Sequence, residues 1–224
     1  MNDRRPATTD PSDEGRADAW AAIRDIRSRI ERLDRDSLGL ILSEARSHYA
    51  WTDRPVTDDD IRRLYEAFKF GPTSANGNHA RFLFVQSAEA REKLAACVNP
   101  GNVEKVRSAP VTAIIAHDIE FWRHLPRLHP HKDMSASFAA DRQKAETAAF
   151  RNGTLQGAYL MIAARALGFD VGAMSGFSNA KVDEAFLAGT TFRSNFLCNI
   201  GYADETALFQ RLPRFDFDEI CQLI

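Results

Sequence analysis

This sequence predicts an α+β fold, a mixed sheet covered by helices on both faces. Three observations carry that prediction. Short apolar runs that read as strands alternate with helical segments, and the helices outnumber the strands. One run, PVTAIIAHD at 110–118, is continuously apolar, the mark of a strand buried on both sides. The segment 145–169, AETAAFRNGTLQGAYLMIAARALGF, is apolar around too much of its circumference for a surface helix and belongs near the centre. With 224 residues, 44% of them hydrophobic, the chain suits one domain, or one domain with an appendage.

Residues 1–18 are polar and charged with two prolines, and read as disordered. Trp20, Ile23, Ile26, Ile30 and Leu33 then recur at steps of three and four, a narrow helical stripe. Two readings fit it: an arm on its own domain, or a surface for a partner subunit. SLGLILSEARSHYA (37–50) reads as a second helix. In VTDDDIRRLYEAFKFG, Thr57 is the N-cap and Asp60 stands at the third helical position, with Val56 and Ile61 as a hydrophobic staple. Ile61, Leu64, Tyr65 and Phe68 mark the buried face, and Gly71-Pro72 stops the helix. RFLFVQ (81–86) is a strand, SAEAREKLAACV a short capped helix, and Asn99–Asn102 a turn. Residues 119–145 lack a clean period and form an irregular or helical excursion, placed so that it could act as a lid. DVGAMSGF holds a short strand, SNAKVDEAFLAG a helix between Ser178 and Gly189, NFLCNIGYAD a buried strand, and RLPRFDFDEICQLI a short terminal helix.

Composition excludes several classes. A net charge of -2 calls for neither nucleic acid nor a membrane surface. Cys97, Cys198 and Cys221 are far apart and odd in number, which argues for a reducing, cytoplasmic setting without a disulfide framework. The charged N-terminus does not read as a signal peptide, and Arg165 interrupts the longest apolar helix. No GxGxxG follows a strand and no GxxxxGK[ST] exists; Gly168, Gly172 and Gly176 are spaced by four. His124, His129, His131 and Asp133 match no metal-ligand spacing and read as a solvated basic loop, so no metal site is assigned. Ser175 lies in MSGF, outside any nucleophile elbow.

What remains is a set of small, polar or basic clusters at element ends: RSH at 46–48, PTSAN at 72–76, GNVEK at 101–105, MSG at 174–176 and RLPR at 211–214. Small residues let backbone N–H groups approach a ligand, and arginines suit a phosphate. At these residues the chain resembles the nitroreductase family of FMN-dependent oxidoreductases. Arg46-Ser47-His48 is similar to the arginine motif that holds the FMN phosphate. GPTSANGNHARFLF is similar to the signature P-S-S-x-N-x-Q-P-W-x-F, with Asn78 for Gln, His79 for Pro and Ala80 for Trp. The resemblance thus makes Pro72, Thr73, Ser74 and Asn76 flavin contacts. It adds Asn102 and Lys105 from an Asn-x-x-Lys segment, Met174, Ser175 and Gly176 beside flavin N5, and Arg211 near the phosphate. The match runs from about residue 37 to 224. The family often carries a second cation four positions after the first arginine; here that position is Ala50.

The resemblance implies a homodimer with FMN at the interface, both chains contributing to each site. NADH or NADPH would donate hydride to flavin N5 in ping-pong fashion, with no side chain acting as a nucleophile. GPTSAN, APVTAI, ETAAFRN, MSGF, NIGY and RLPR are similar to one subfamily, the malonic semialdehyde reductases of pyrimidine degradation. That implies a small aldehyde substrate reduced to 3-hydroxypropanoate, with Arg81, Arg142 or Arg151 available to its carboxylate. Two alternatives stand beside it: a general nitroaromatic or quinone reductase, and a non-enzymatic flavin-binding dimer.

Overall fold

The computed structural model describes residues 13–29 and 33–224. Residues 1–12 of the segment expected to be disordered, and Ile30 of the stripe, lie outside the described residues. Helix α1 (Asp13–Arg29) already covers residues 13–18, which the sequence reading left without structure. Trp20, Ile23 and Ile26 stay exposed along it, so the described residues of this chain do not cover the stripe.

Four strands make one sheet: β1 (Ala80–Val85), β2 (Val111–Asp118), β3 (Asp170–Met174) and β4 (Phe192–Gly201), in the order β1-β2-β4-β3. Every pairing is antiparallel, where the sequence reading expected a mixed sheet. The connection from β1 to β2 shows one reason. It contains two short helices, α4 (Ala88–Ala95) and α5 (Val103–Ser108), so the chain re-enters the sheet reversed. The parallel contact is an isolated bridge between Ser47 and Val171, at the β3 edge.

The two faces divide by the period-two alternation of strands. Val111, Ala113 and Ile115 of β2 face a core built with α3 (Asp58–Phe68) and the long α8 (Arg142–Ala166). Ile114 faces the other side, with Leu94, Val106, Val182 and Leu197 beneath α4, α5 and α9 (Asn179–Phe186). All eight β2 residues are buried, as expected of a strand covered on both faces.

Local signals were followed closely. Thr57 and Asp60 form a reciprocal capping box, and Val56 and Ile61 join the same core. Ser87 and Ser178 cap α4 and α9, and Gly189 adopts φ 76° after the latter. Tyr65 departs from its expected buried position and is 49% exposed, leaving Leu64 and Phe68 to anchor α3. The helix expected over 37–50 is shorter: α2 (Arg35–Leu38) passes into a π-helical turn at Gly39–Ser43 and stops. Beyond it His48 N–H donates to Val171 O at 3.0 Å, so pairing with the sheet edge overrides helix propensity. The excursion contains a 3₁₀ turn at Phe121–His124, then α6 (Leu125–Leu128) and α7 (Ser135–Ala139), anchored by Phe121, Leu125 and Phe138 on α8 residues Ala145 and Ala149. The chain ends with α10 (Phe217–Ile220).

Candidate functional site

The residues singled out from the sequence gather into two groups. The first lies around β3. Ser47 pairs with Val171, and the His48 ring turns toward Asp170, Nε2 to Oδ1 3.2 Å. Burial pushes the His48 pKa down, and Asp170 pulls it back. Gly172 is required here: a Cβ would stand 2.4 Å from the His48 carbonyl oxygen. At the C-terminal end of β3, Met174 packs in the core while Ser175 is exposed. The Gly176 carbonyl accepts from Asn99 N–H and from Asn102 Nδ2, each at 2.9 Å. Lys105 Nζ donates to Asn102 Oδ1 at 2.9 Å and lies 4.8 Å from the Tyr49 ring centre. Tyr49 meets Phe209 edge-on, and the Phe209 carbonyl accepts from Arg46. Arg211 donates to Ala45 O at 3.3 Å.

Arg46, Ser47, Tyr49, Phe209 and Arg211 line a cavity of about 1020 Å³ with Arg165 and Arg214 and, among the described residues, no carboxylate; Asn102, Lys105 and Met174–Gly176 lie outside its lining. The hydrogen bonds of the four guanidinium groups all go to backbone carbonyls. Such a donor set suits an anion.

The second group is the loop at 72–78. Ala75, Asn76 and Asn78 have φ of 52°, 49° and 44°, a region that non-glycine residues seldom occupy. The loop is held from outside and from within. Ser74 N–H donates to Asn152 Oδ1 at 2.8 Å, Asn76 Nδ2 donates to Leu128 O at 2.8 Å, and Thr73 Oγ1 accepts from Asn78 N–H. Pro72 is exposed, and Gly71 lies flat on Tyr159, where a Cβ would come within 2.7 Å of the ring. Backbone strain held in this way concentrates at functional loops. Beneath the loop the His79 ring is fully buried, 3.9 Å from Phe121, with both nitrogens unpartnered. Desolvation lowers its pKa to about 4.

Within one chain these groups lie apart. Ser74 is tied to Asn152 and the cavity includes Arg165, so their anchors on α8 are separated by roughly 20 Å of helix.

Three functional candidates were missed from the sequence. Asn152, buried in α8, holds the loop. Asn199, buried in β4, donates to the Lys105 carbonyl at 2.7 Å and accepts from Thr112, fixing α5. Arg165, read as a charge interrupting an apolar helix, lines the cavity. Its isolation among alanines and leucines was the available signal. Among the described residues no three His, Cys, Asp or Glu side chains converge as metal ligands, and no helix is long and apolar enough to cross a membrane.

Comparison with known proteins agrees with this architecture. A model of the nitroreductase family matches residues 42–202. A Burkholderia lata protein, provisionally named an NADH dehydrogenase/NAD(P)H nitroreductase, is 53% identical over 191 residues, 85% of this chain and 98% of its own length. A similarly named Ralstonia pickettii protein is 53% identical over 190 residues, 84% of this chain and 97% of its own. A solved Exiguobacterium sibiricum protein in complex with FMN, provisionally described as a nitroreductase, superposes with a TM-score of 0.72 at 20% identity. That match covers 87% of this chain and all of the other. Domain-length identity above one half, together with the shared fold, makes this chain a member of the nitroreductase family.

Proposed function

We propose that the chain is an FMN-dependent oxidoreductase that uses NADH or NADPH to reduce malonic semialdehyde to 3-hydroxypropanoate. One observation carries the cofactor half of this reading: a cavity lined by four arginines and, among the described residues, no carboxylate, next to a backbone that only glycine fits. A phosphate monoester answers that donor set, and the Exiguobacterium protein of the same fold was solved with FMN. Bound FMN supplies the hydride chemistry.

The chain's own residues bind and orient. Arg46 and Arg211 hold the phosphate, each charge-assisted contact contributing about 1.5–3 kcal/mol. Asn102, itself held by Lys105, fixes the segment of Ser175 and Gly176 that would meet the flavin, with Met174 holding its base. Ser47 and His48 lock the Arg46 segment to β3 through backbone and imidazole contacts. The loop with Pro72, Thr73, Ser74 and Asn76 comes from a second copy. Two observations favour that homodimer: the separation along α8, and the apolar side chains Phe150, Leu155, Tyr159 and Ile162 left exposed on the same helix.

The substrate half rests on the subfamily motifs and on one cation. Arg81 is paired with the buried Asp118 at 2.7 Å, and Arg142 with Glu146 at 2.8 Å. Arg151 has no hydrogen bond or ion pair with described residues. It lines a cavity of about 430 Å³ with Ser74 and Lys144, beside the strained loop. A substrate carboxylate on Arg151 would bring the neighbouring carbonyl toward Ser74.

A second reading, reduction of nitroaromatics or quinones, is favoured by the names of the two relatives. Anaerobic reoxidation separates them. The protein is reduced with NADH or NADPH, then mixed with malonic semialdehyde or with a nitroaromatic while flavin absorbance is followed. Fast recovery with the semialdehyde is expected. Recovery with the nitroaromatic alone moves the activity to the second reading, and recovery with neither leaves a flavin-binding dimer.

A further inference from the structure

The motif around Arg46 lacks a second cation, because position 50 is alanine. The structure brings a cation to the same cavity from elsewhere. Arg165 sits in the last turn of α8 and lines the cavity together with Arg46, Arg211 and Arg214. It also lines a smaller adjoining pocket of about 220 Å³, shared with Arg46, His48 and Asp170.

The hydrogen bonding of Arg165 is incomplete. Nη1 donates to Ile41 O at 3.3 Å, a long bond, and Nε is buried with no partner. A guanidinium carries five N–H donors. Buried donors are nearly always satisfied, so an orphan of this kind needs an explanation.

Nor is its charge balanced. Asp170, the acid of the adjoining pocket, lies 3.2 Å from His48 Nε2 through one oxygen and accepts from Ala203 N–H at 2.9 Å through the other. The neighbouring Cys198 thiol is pushed up to about 12 by burial and is neutral at pH 7. The α8 C-terminus favours a cation there, but it supplies no acceptor to Nε. Desolvation already lowers the Arg165 pKa. A half-buried, uncompensated guanidinium facing a cavity with three others is costly unless an anion completes it.

We propose that Arg165 is a ligand of the cofactor phosphate, supplying from α8 the second guanidinium that the Arg46 motif lacks. This rests on the FMN reading above. A dianionic monoester offers three terminal oxygens, enough to accept from Arg46 and Arg165 together while Arg211 approaches from the C-terminal segment. Riboflavin has the same ring and ribityl chain without the phosphate, and would be indifferent to Arg165.

The test is a titration of full-length apoprotein with FMN and, separately, with riboflavin, read by flavin fluorescence and paired with thermal melting of each apoprotein. Wild type is expected to bind FMN far more tightly than riboflavin. Arg165→Ala is expected to raise the FMN Kd 10- to 100-fold and leave the riboflavin Kd within about twofold, with Arg165→Lys recovering part of the loss. An unchanged FMN Kd in Arg165→Ala overturns the proposal, as does an equal rise for both flavins, which would mark a structural role. If the alanine variant does not fold, Arg165→Gln, which keeps most of the side chain, is judged on the same ratio of FMN to riboflavin affinity. A wild type that binds the two flavins equally overturns the phosphate-cavity reading itself. That outcome is distinct from a wild type that discriminates while Arg165→Ala discriminates just as well.

Discussion

The cavity around Arg46 is assembled from three distant stretches of chain, at 42–49, 165 and 209–214, whereas the loop from Thr73 to Asn78 is one stretch bent on itself. The cavity stores charge: four guanidinium groups face one space with no carboxylate among them. The loop stores backbone strain: three of its non-glycine residues have positive φ, and it is held by Asn152 and Leu128 from outside and by Thr73 from within. A cluster of like charges favours a counter-ion. A strained backbone waits for nothing, because the surrounding fold already determines its shape. One side of the candidate site is therefore shaped before a ligand arrives, and the other is completed by it.

The largest expected effect comes from damaging the cavity's backbone. Gly172→Ala would drive a Cβ to 2.4 Å from the His48 carbonyl oxygen, where only backbone movement can relieve the clash. A loss of about 2–4 kcal/mol is expected from urea unfolding, together with weak flavin binding. A variant that unfolds and binds flavin like wild type would mean that the Arg46 segment is not held by β3.

Acid should probe the loop region next. His79 under the loop has a folded pKa of about 4 against 6.5 when unfolded, and burial lowers His48 beside the cavity in the same direction. Between those values the unfolded chain takes up a proton that the folded chain excludes, so stability falls as pH drops from 6.5 toward 4. From pH 7 to pH 5 the loss due to His79 is roughly 2 kcal/mol. Unfolding of wild type and His79→Leu at both pH values measures it as the difference in slope. Equal slopes would remove His79 from the account.

How far the sequence revealed each region follows from the same contrast. The loop was legible because its signal is contiguous: small polar residues between a capped helix and an apolar strand. The caps at Thr57, Ser87 and Ser178 were legible for the same reason. Arg46 and Arg211, which share the cavity, each stand in a motif, whereas Arg165 reads in sequence only as a break in an apolar helix. Its place in the cavity comes from where α8 ends relative to residues 42–49, and no local pattern encodes that. Helix 37–50 was overextended and the sheet direction missed on similar grounds, since both depend on pairings with distant strands.

Asn152→Ala tests whether the loop's shape is imposed from α8. The substitution removes the acceptor for Ser74 N–H and should cost about 1.5 kcal/mol. Amide exchange at Ser74 should accelerate, while binding of flavin to the arginine cavity changes little. Slow exchange in the variant would mean that the loop holds its own geometry.

The smallest effect probes the boundary between strain and charge. Arg151 is the one arginine of the notional substrate trio, Arg81, Arg142 and Arg151, with no carboxylate partner among the described residues, and it shares its cavity with Ser74 of the strained loop. Lys144 and Arg151 stand seven residues apart on α8, on one face, with Thr147 and Ala148 between them. The acid of that cavity, Asp141, accepts from Lys144 N–H as the α8 N-cap. Arg151→Gln keeps length and removes charge. If the pocket selects a substrate carboxylate, KM for malonic semialdehyde should rise about fivefold, near 1 kcal/mol, because Lys144 remains. A neutral nitroaromatic should be turned over at an unchanged rate, with FMN content unchanged. An equal loss on both substrates would instead assign Arg151 to the subunit interface alongside Phe150 and Leu155. No loss on either would leave the strained loop with a rigid edge and no charge of its own, which would sharpen its contrast with the arginine cavity.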